Sequence, residues 1–164
     1  MLAYLVTFLL SMTPVIELRG AIPVGVGMGL SYFTAFIIAF IGNVLPVYFI
    51  VKYADPIFNF LGKIKPIGKV LDWFKAKTTK KIEKNEKLQT SVALGLFVLV
   101  AIPLPGTGAW TGSLAANLLG VKVKKAIVPI ILGVLVAGII VLAVTAAACG
   151  GISAIFDTNV NVVK

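Results

Sequence analysis

Residues 88–121 form a run of 34 positions without a charged side chain, bounded by Lys87 on one side and by Lys122, Lys124 and Lys125 on the other. As one straight helix it would measure about 51 Å at about 1.5 Å per residue, well beyond a hydrocarbon core of about 30 Å. It is also broken at Pro103-Leu104-Pro105-Gly106. Lysines at both ends predict that the chain enters the bilayer, turns, and returns to the face it came from. The expectation is a re-entrant hairpin over 90–121, whose interrupted backbone must be satisfied by protein or by a water-filled cavity.

The remaining apolar segments follow the same reasoning. The first 51 residues carry only two charges, Glu17 and Arg19. Residues 1–12 are apolar but too short to span, and they lack the basic n-region of a signal peptide. Residues 13–30 are interrupted by Pro14, Gly20, Pro23, Gly25, Gly27 and Gly29. Residues 1–30 therefore read as another re-entrant hairpin. Residues 31–52 and 126–148 are long enough to cross, and 149–164 form a short tail. Between them, 53–89 is lysine-rich, with Ile57, Leu61, Ile64, Ile67, Leu71 and Phe74 at helical spacing. That pattern predicts an amphipathic interfacial helix, interrupted near Pro66, or a partner-binding one.

Composition agrees. The chain is 59% hydrophobic and 13% charged, where soluble domains hold about 45–50% and about 25%. The expected fold is an all-α integral membrane protein, a single domain of two hairpin-plus-span units joined by the basic segment. Ten lysines between Lys52 and Lys87 produce most of the net charge of +9. They flank apolar segments, as cytoplasmic loops do, which argues for membrane lipids as partners and against nucleic acid. There is no histidine, one cysteine (Cys149), and six scattered acidic residues. No metal, cofactor or enzymatic activity is expected from such a set.

A shift of 91 residues lays Pro14 on Pro105, Gly29 on Gly120, Ala35 on Ala126 and Gly42 on Gly133, and matches broken segment to broken segment. One crossing per unit would place the second unit upside down relative to the first. Paired broken segments in inverted repeats point to a midplane substrate site, although kinked helices packing through Gly and Pro would leave the same pattern.

Glu17 and Arg19 are the ionisable residues within the proposed membrane elements, and retaining charge there is costly. They could converge on one site if the backbone breaks at Glu17-Leu18-Arg19-Gly20, which Gly20 and Pro23 would permit, or they could snorkel from a hairpin mouth. Arg19 suits a phosphate or carboxylate, and Glu17 a coupling proton. Pro105-Gly106-Thr107-Gly108 could present backbone amides to an anion. Asn43, Asn117 and Trp110 are further polar or amphipathic groups, with interhelical bonding or packing as their simpler roles.

The stretch Pro14-Val-Ile-Glu17-Leu-Arg19-Gly20-Ala-Ile-Pro23-Val-Gly25, followed by Pro103-Leu-Pro105-Gly106-Thr107-Gly108-Ala-Trp110-Thr-Gly112, resembles the small multi-drug export protein family. That family is similar to the wider DedA-type, or SNARE-associated, membrane proteins. The resemblance implies two inverted re-entrant hairpins in a prokaryotic plasma membrane, with lipid translocation and suspected proton coupling. It implies Glu17 and Arg19 as the functional pair of the first hairpin, and Pro103, Pro105 and Gly106 as the break of the second. DedA-type proteins bring arginines through the second hairpin region, whereas this chain has none between Lys87 and Lys122. Three functions follow as expectations. They are a flippase for an amphipathic anion such as a lipid-linked phosphate, an exporter of small hydrophobic compounds, and a membrane scaffold. A chain of two spans is small for a sealed pathway, so a homodimer is expected.

Overall fold

A computed structural model of the chain describes residues 1–61, 82, 85–104 and 106–149. Most of the basic 53–89 segment, Pro105 and tail residues 150–164 lie outside the described residues. The described elements are helices, α1 (Leu2–Met12), α2 (Glu17–Gly27), α3 (Tyr32–Leu61), α4 (Glu86–Ala101), α5 (Ala109–Leu118) and α6 (Val123–Cys149).

Local chemistry explains the breaks. Pro14 disfavours the helical region for the residue before it, and Thr13 is extended, with its hydroxyl donating to the Leu10 carbonyl at 2.7 Å. The first break thus falls at residues 13–16, at Pro14, and Glu17 opens α2. Gly20 and Pro23 lie inside α2. The second break follows the same rule, because Ile102, just ahead of Pro103, is extended at the end of α4. Both return helices stop at a left-handed glycine, Gly29 (φ 89°) and Gly120 (φ 67°). Gly29 N–H donates to the Val26 carbonyl at 2.9 Å and Leu30 N–H to that of Gly25 at 3.0 Å. The same two bonds recur 91 residues later, from Gly120 to Asn117 and from Val121 to Ala116, both at 3.0 Å. Each is a Schellman-type stop, which satisfies carbonyls that the helix end leaves open.

α3 and α6 each include a stretch long and apolar enough to cross a membrane, Tyr32–Tyr53 with 22 residues and Val123–Cys149 with 27. The first begins and ends within a residue of the expected span, but its helix continues to Leu61. Exposed Leu5, Phe33, Phe49, Leu94, Val128, Ile139 and Val144 stud the outer faces, an apolar surface that water would not tolerate on a monomer.

α1, α2 and α3 pack on one another, as do α4, α5 and α6; α3 also packs on α6, α2 on α6, and α5 on α3. Small residues set the closest approaches. A Cβ on Gly42 would fall 2.7 Å from the Phe8 carbonyl of α1, and one on Gly133 would fall 2.9 Å from the Phe97 carbonyl of α4. At one end of the bundle Val26, Leu30, Tyr32, Ala35 and Ala146 form a core, bringing together the end of α2, the start of α3 and the end of α6. At the other end, Lys125 of α6 pairs with Glu86 of α4 at 3.3 Å, and the Asn117 side chain reaches the Val51 carbonyl of α3 at 3.5 Å. α3 and α6 therefore run in opposite directions.

Candidate functional site

Every helix break exposes backbone groups. N–H groups at the start of a helix carry partial positive charge and carbonyls at its end partial negative charge. In water such groups are solvated, whereas inside a bundle a side chain must reach them. Four sequence-singled residues, Glu17, Arg19, Thr107 and Trp110, do so here.

Arg19 lies on the first turn of α2. One of its terminal nitrogens donates to the Leu104 carbonyl, and the other lies 3.3 Å from the Ile102 carbonyl and 3.5 Å from Thr107 Oγ1. Thr107 Oγ1 itself sits 2.9 Å from the Ile102 oxygen and 3.0 Å from that of Leu104. The planar fork of a guanidinium suits adjacent acceptors of this kind. It places a cation at the carbonyl end of α4, the favourable sign for that terminus. Gly106 (φ 83°) supplies the left-handed turn that lets the chain double back.

Glu17 serves the other side of the same break. α5 begins after Gly108, which has no side chain to cap it, and Glu17 Oε1 accepts the Trp110 N–H at 3.2 Å. The carboxylate of the first hairpin is thus the N-cap of a helix in the second. The Gly108 hydrogens face it directly, since a Cβ there would stand 2.5 Å from the Glu17 carboxyl carbon. Glu17 thus bonds the first turn of α5, just past the Pro-Gly-Thr-Gly turn, where the Thr107 N–H is taken by the Leu104 carbonyl. Glu17 is 5% exposed and holds φ 50°, a left-handed conformation costing a side-chain-bearing residue about 1–2 kcal/mol.

Trp110 closes the arrangement in the opposite sense, its indole N–H donating to the Met12 carbonyl at the end of α1, 3.1 Å away. Arg19 and Trp110 are separated by 91 positions, the repeat interval. Each donates to the broken helix end of the other hairpin. Glu17 and Arg19, both in the first turn of α2, engage these separate partners and do not meet at one atom.

The other expected residues divide. Pro23, Pro103 and Arg19 line a cavity of about 470 Å³ completed by α6 through Ile140, Val141, Val144, Thr145, Ala148 and Cys149. Gly20 is a packing position, where a Cβ would fall 2.5 Å from Ile16 Cγ2. Asn43 is 1% exposed on α3, and its amide makes no hydrogen bond among the described residues. Asn117, on α5, belongs to the far end, where its side chain reaches the Val51 carbonyl of α3. Sequence reasoning missed the α6 wall, whose 141, 145 and 148 spacing marks one helical face without revealing what it faces. It also missed the Met12 carbonyl, which carries no sequence signal at all.

A model of the family described as "Putative small multi-drug export protein" matches residues 17–140, from the first residue of α2 through the Pro103 turn and into α6. The chain belongs to that family. Membership and the two long apolar helices agree on a membrane protein, and the family name suggests small multi-drug export. No curated protein and no solved structure matches the chain.

Proposed function

We propose that this protein exports small amphipathic compounds, taking them up in the cavity bounded by α2, the Pro103 turn and α6. One observation carries the reading. The cavity of about 470 Å³ has apolar walls and a single charged side chain, Arg19, at its edge. Pockets that bind small molecules combine an apolar lining with a few placed polar groups, and this volume falls within their usual range of about 300–1,000 Å³. Two of its wall residues, Ile140 and Val144, are themselves exposed on the outer face of α6. Cargo dissolved in the membrane would enter sideways between them.

The two units are read as inverted repeats whose hairpins enter from opposite faces. The recurrence of the glycine stops, the paired Gly42 and Gly133 contacts, and the opposed α3 and α6 support this. Exchange between two openings would then rock one unit against the other around the Glu17, Arg19 and Trp110 ties. Protonation of Glu17 would weaken the cap on α5 and loosen one tie, giving transport its proton dependence. The basic segment is cytoplasmic on this reading, two copies form the working unit, and the chain transports without catalysing a reaction.

A lipid-linked phosphate is the second cargo to weigh, favoured by Arg19 Nε, which is buried without a partner. The terminal nitrogens, however, are already engaged with carbonyls, so a phosphate would have to compete for them. Purified protein in liposomes decides between these. Efflux of a small amphipathic dye and transbilayer movement of a labelled polyprenyl phosphate are measured for the wild type and for Thr145→Trp, which fills the cavity. Dye efflux lost in Thr145→Trp supports the proposal. Dye efflux indifferent to that change, or movement of the polyprenyl phosphate alone, refutes it.

A further inference from the structure

At the opposite end of the bundle, the first turns of α4 and α6 enclose a groove of about 290 Å³. Its floor is apolar, formed by Ala93, Leu94, Val128 and Pro129, and its rim carries Thr90, Lys124 and Lys125. We propose that this groove binds one anionic phospholipid, with the phosphate at the lysine rim and an acyl chain on the apolar floor.

Charge comes first. Lys125 is partly neutralised by Glu86 at 3.3 Å, but Lys124 is exposed and makes no ion pair among the described residues. Lys122 adds another exposed cation two positions away, and the first turn of α6 contains no acidic residue. The start of that helix contributes further positive potential from its free N–H groups. The rim therefore offers an excess of positive charge, and the exposed Thr90 hydroxyl stands beside it.

Shape then selects a lipid over a soluble anion. Below the rim, Leu94 and Val98 follow one another along the exposed face of α4, and Val128 and Leu132 do so on α6. Four-residue spacing stacks each pair on one helix face. The groove is thus prolonged towards the membrane interior by two apolar ridges from helices that pack along each other through Val100 and Gly133. A free phosphate would use the rim and leave the floor empty. A zwitterionic lipid would fill the floor but bring its own cation to the lysines. A diacyl lipid with a net negative head matches both parts, as basic pockets between membrane helices do for anionic head groups.

The site is separate from the Arg19 cavity, and its test needs no transport. Intact protein in detergent is mixed with equal amounts of phosphatidylglycerol and phosphatidylcholine of the same acyl composition, and retained lipid is counted by native mass spectrometry. The wild type should keep one phosphatidylglycerol in at least fivefold preference, and excess glycerol phosphate should not displace it. Lys124→Glu should remove the preference. Thr90→Trp, an exposed position that fills the groove while leaving every charge in place, should lower retention of both lipids. Equal retention of the two lipids by the wild type overturns the proposal. So does an unchanged preference in Lys124→Glu, or displacement by glycerol phosphate.

Discussion

Gly108→Ala tests the tie between the two hairpins without removing any functional side chain. The new methyl would overlap Glu17 Oε2 most closely and stand 2.5 Å from the carboxyl carbon and 2.6 Å from Oε1, whereas unbonded carbon atoms rest about 3.5 Å or more apart. The backbone at Gly108 is extended (φ −173°) and accepts alanine readily, so the overlap must be relieved by the carboxylate. A retreat of about 1 Å would carry Oε1 from 3.2 Å to beyond hydrogen-bonding distance of the Trp110 N–H. A hydrogen bond to a charged group contributes about 1.5–3 kcal/mol, and few waters can replace it where Glu17 is 5% exposed. At about 2–4 °C per kcal/mol for a chain of this size, Tm should fall by about 3–12 °C. Glu17→Asp draws the carboxylate back by one methylene and makes room for the methyl. The double variant should therefore be more stable than the sum of the single losses, by about 1 kcal/mol or more. Thermal unfolding in detergent, followed by tryptophan fluorescence, measures all four proteins. Strict additivity, or a Gly108→Ala protein as stable as wild type, would refute the capping role assigned to Glu17.

Trp110→Phe keeps an aromatic ring and deletes the indole donor to the Met12 carbonyl; a loss of about 0.5–1.5 kcal/mol is expected in thermal unfolding followed by circular dichroism, and no change would remove the reciprocal tie. Gly29→Ala should cost about 1–2 kcal/mol by backbone conformation alone, because φ is 89° and nothing lies within 4 Å of the added atom. Gly29→Asn should recover part of that loss, asparagine tolerating the left-handed region, and equal losses would show that strain is not the cause.

The sequence by itself determined two long apolar helices and the places where the shorter helices around them break. Hydropathy and the backbone limits of Pro14, Pro103, Gly29 and Gly120 act within a few residues and can be read directly. Of the interruptions in 13–30, Pro14 breaks the helix, whereas Gly20 and Pro23 lie inside α2. The tertiary structure decided what the charges do. Glu17 and Arg19 sit two positions apart and invite a shared ligand, yet their partners lie 83 to 93 residues away, at opposite sides of a break in another hairpin. The Trp110 partner is a backbone carbonyl 98 residues distant, identical in the sequence to every other carbonyl. The cavity beside Arg19 was likewise invisible, since its α6 wall is an apolar helical face like any other until α2 and the Pro103 turn lie against it. Periodicity records which groups must leave water, and only packing settles which group meets which.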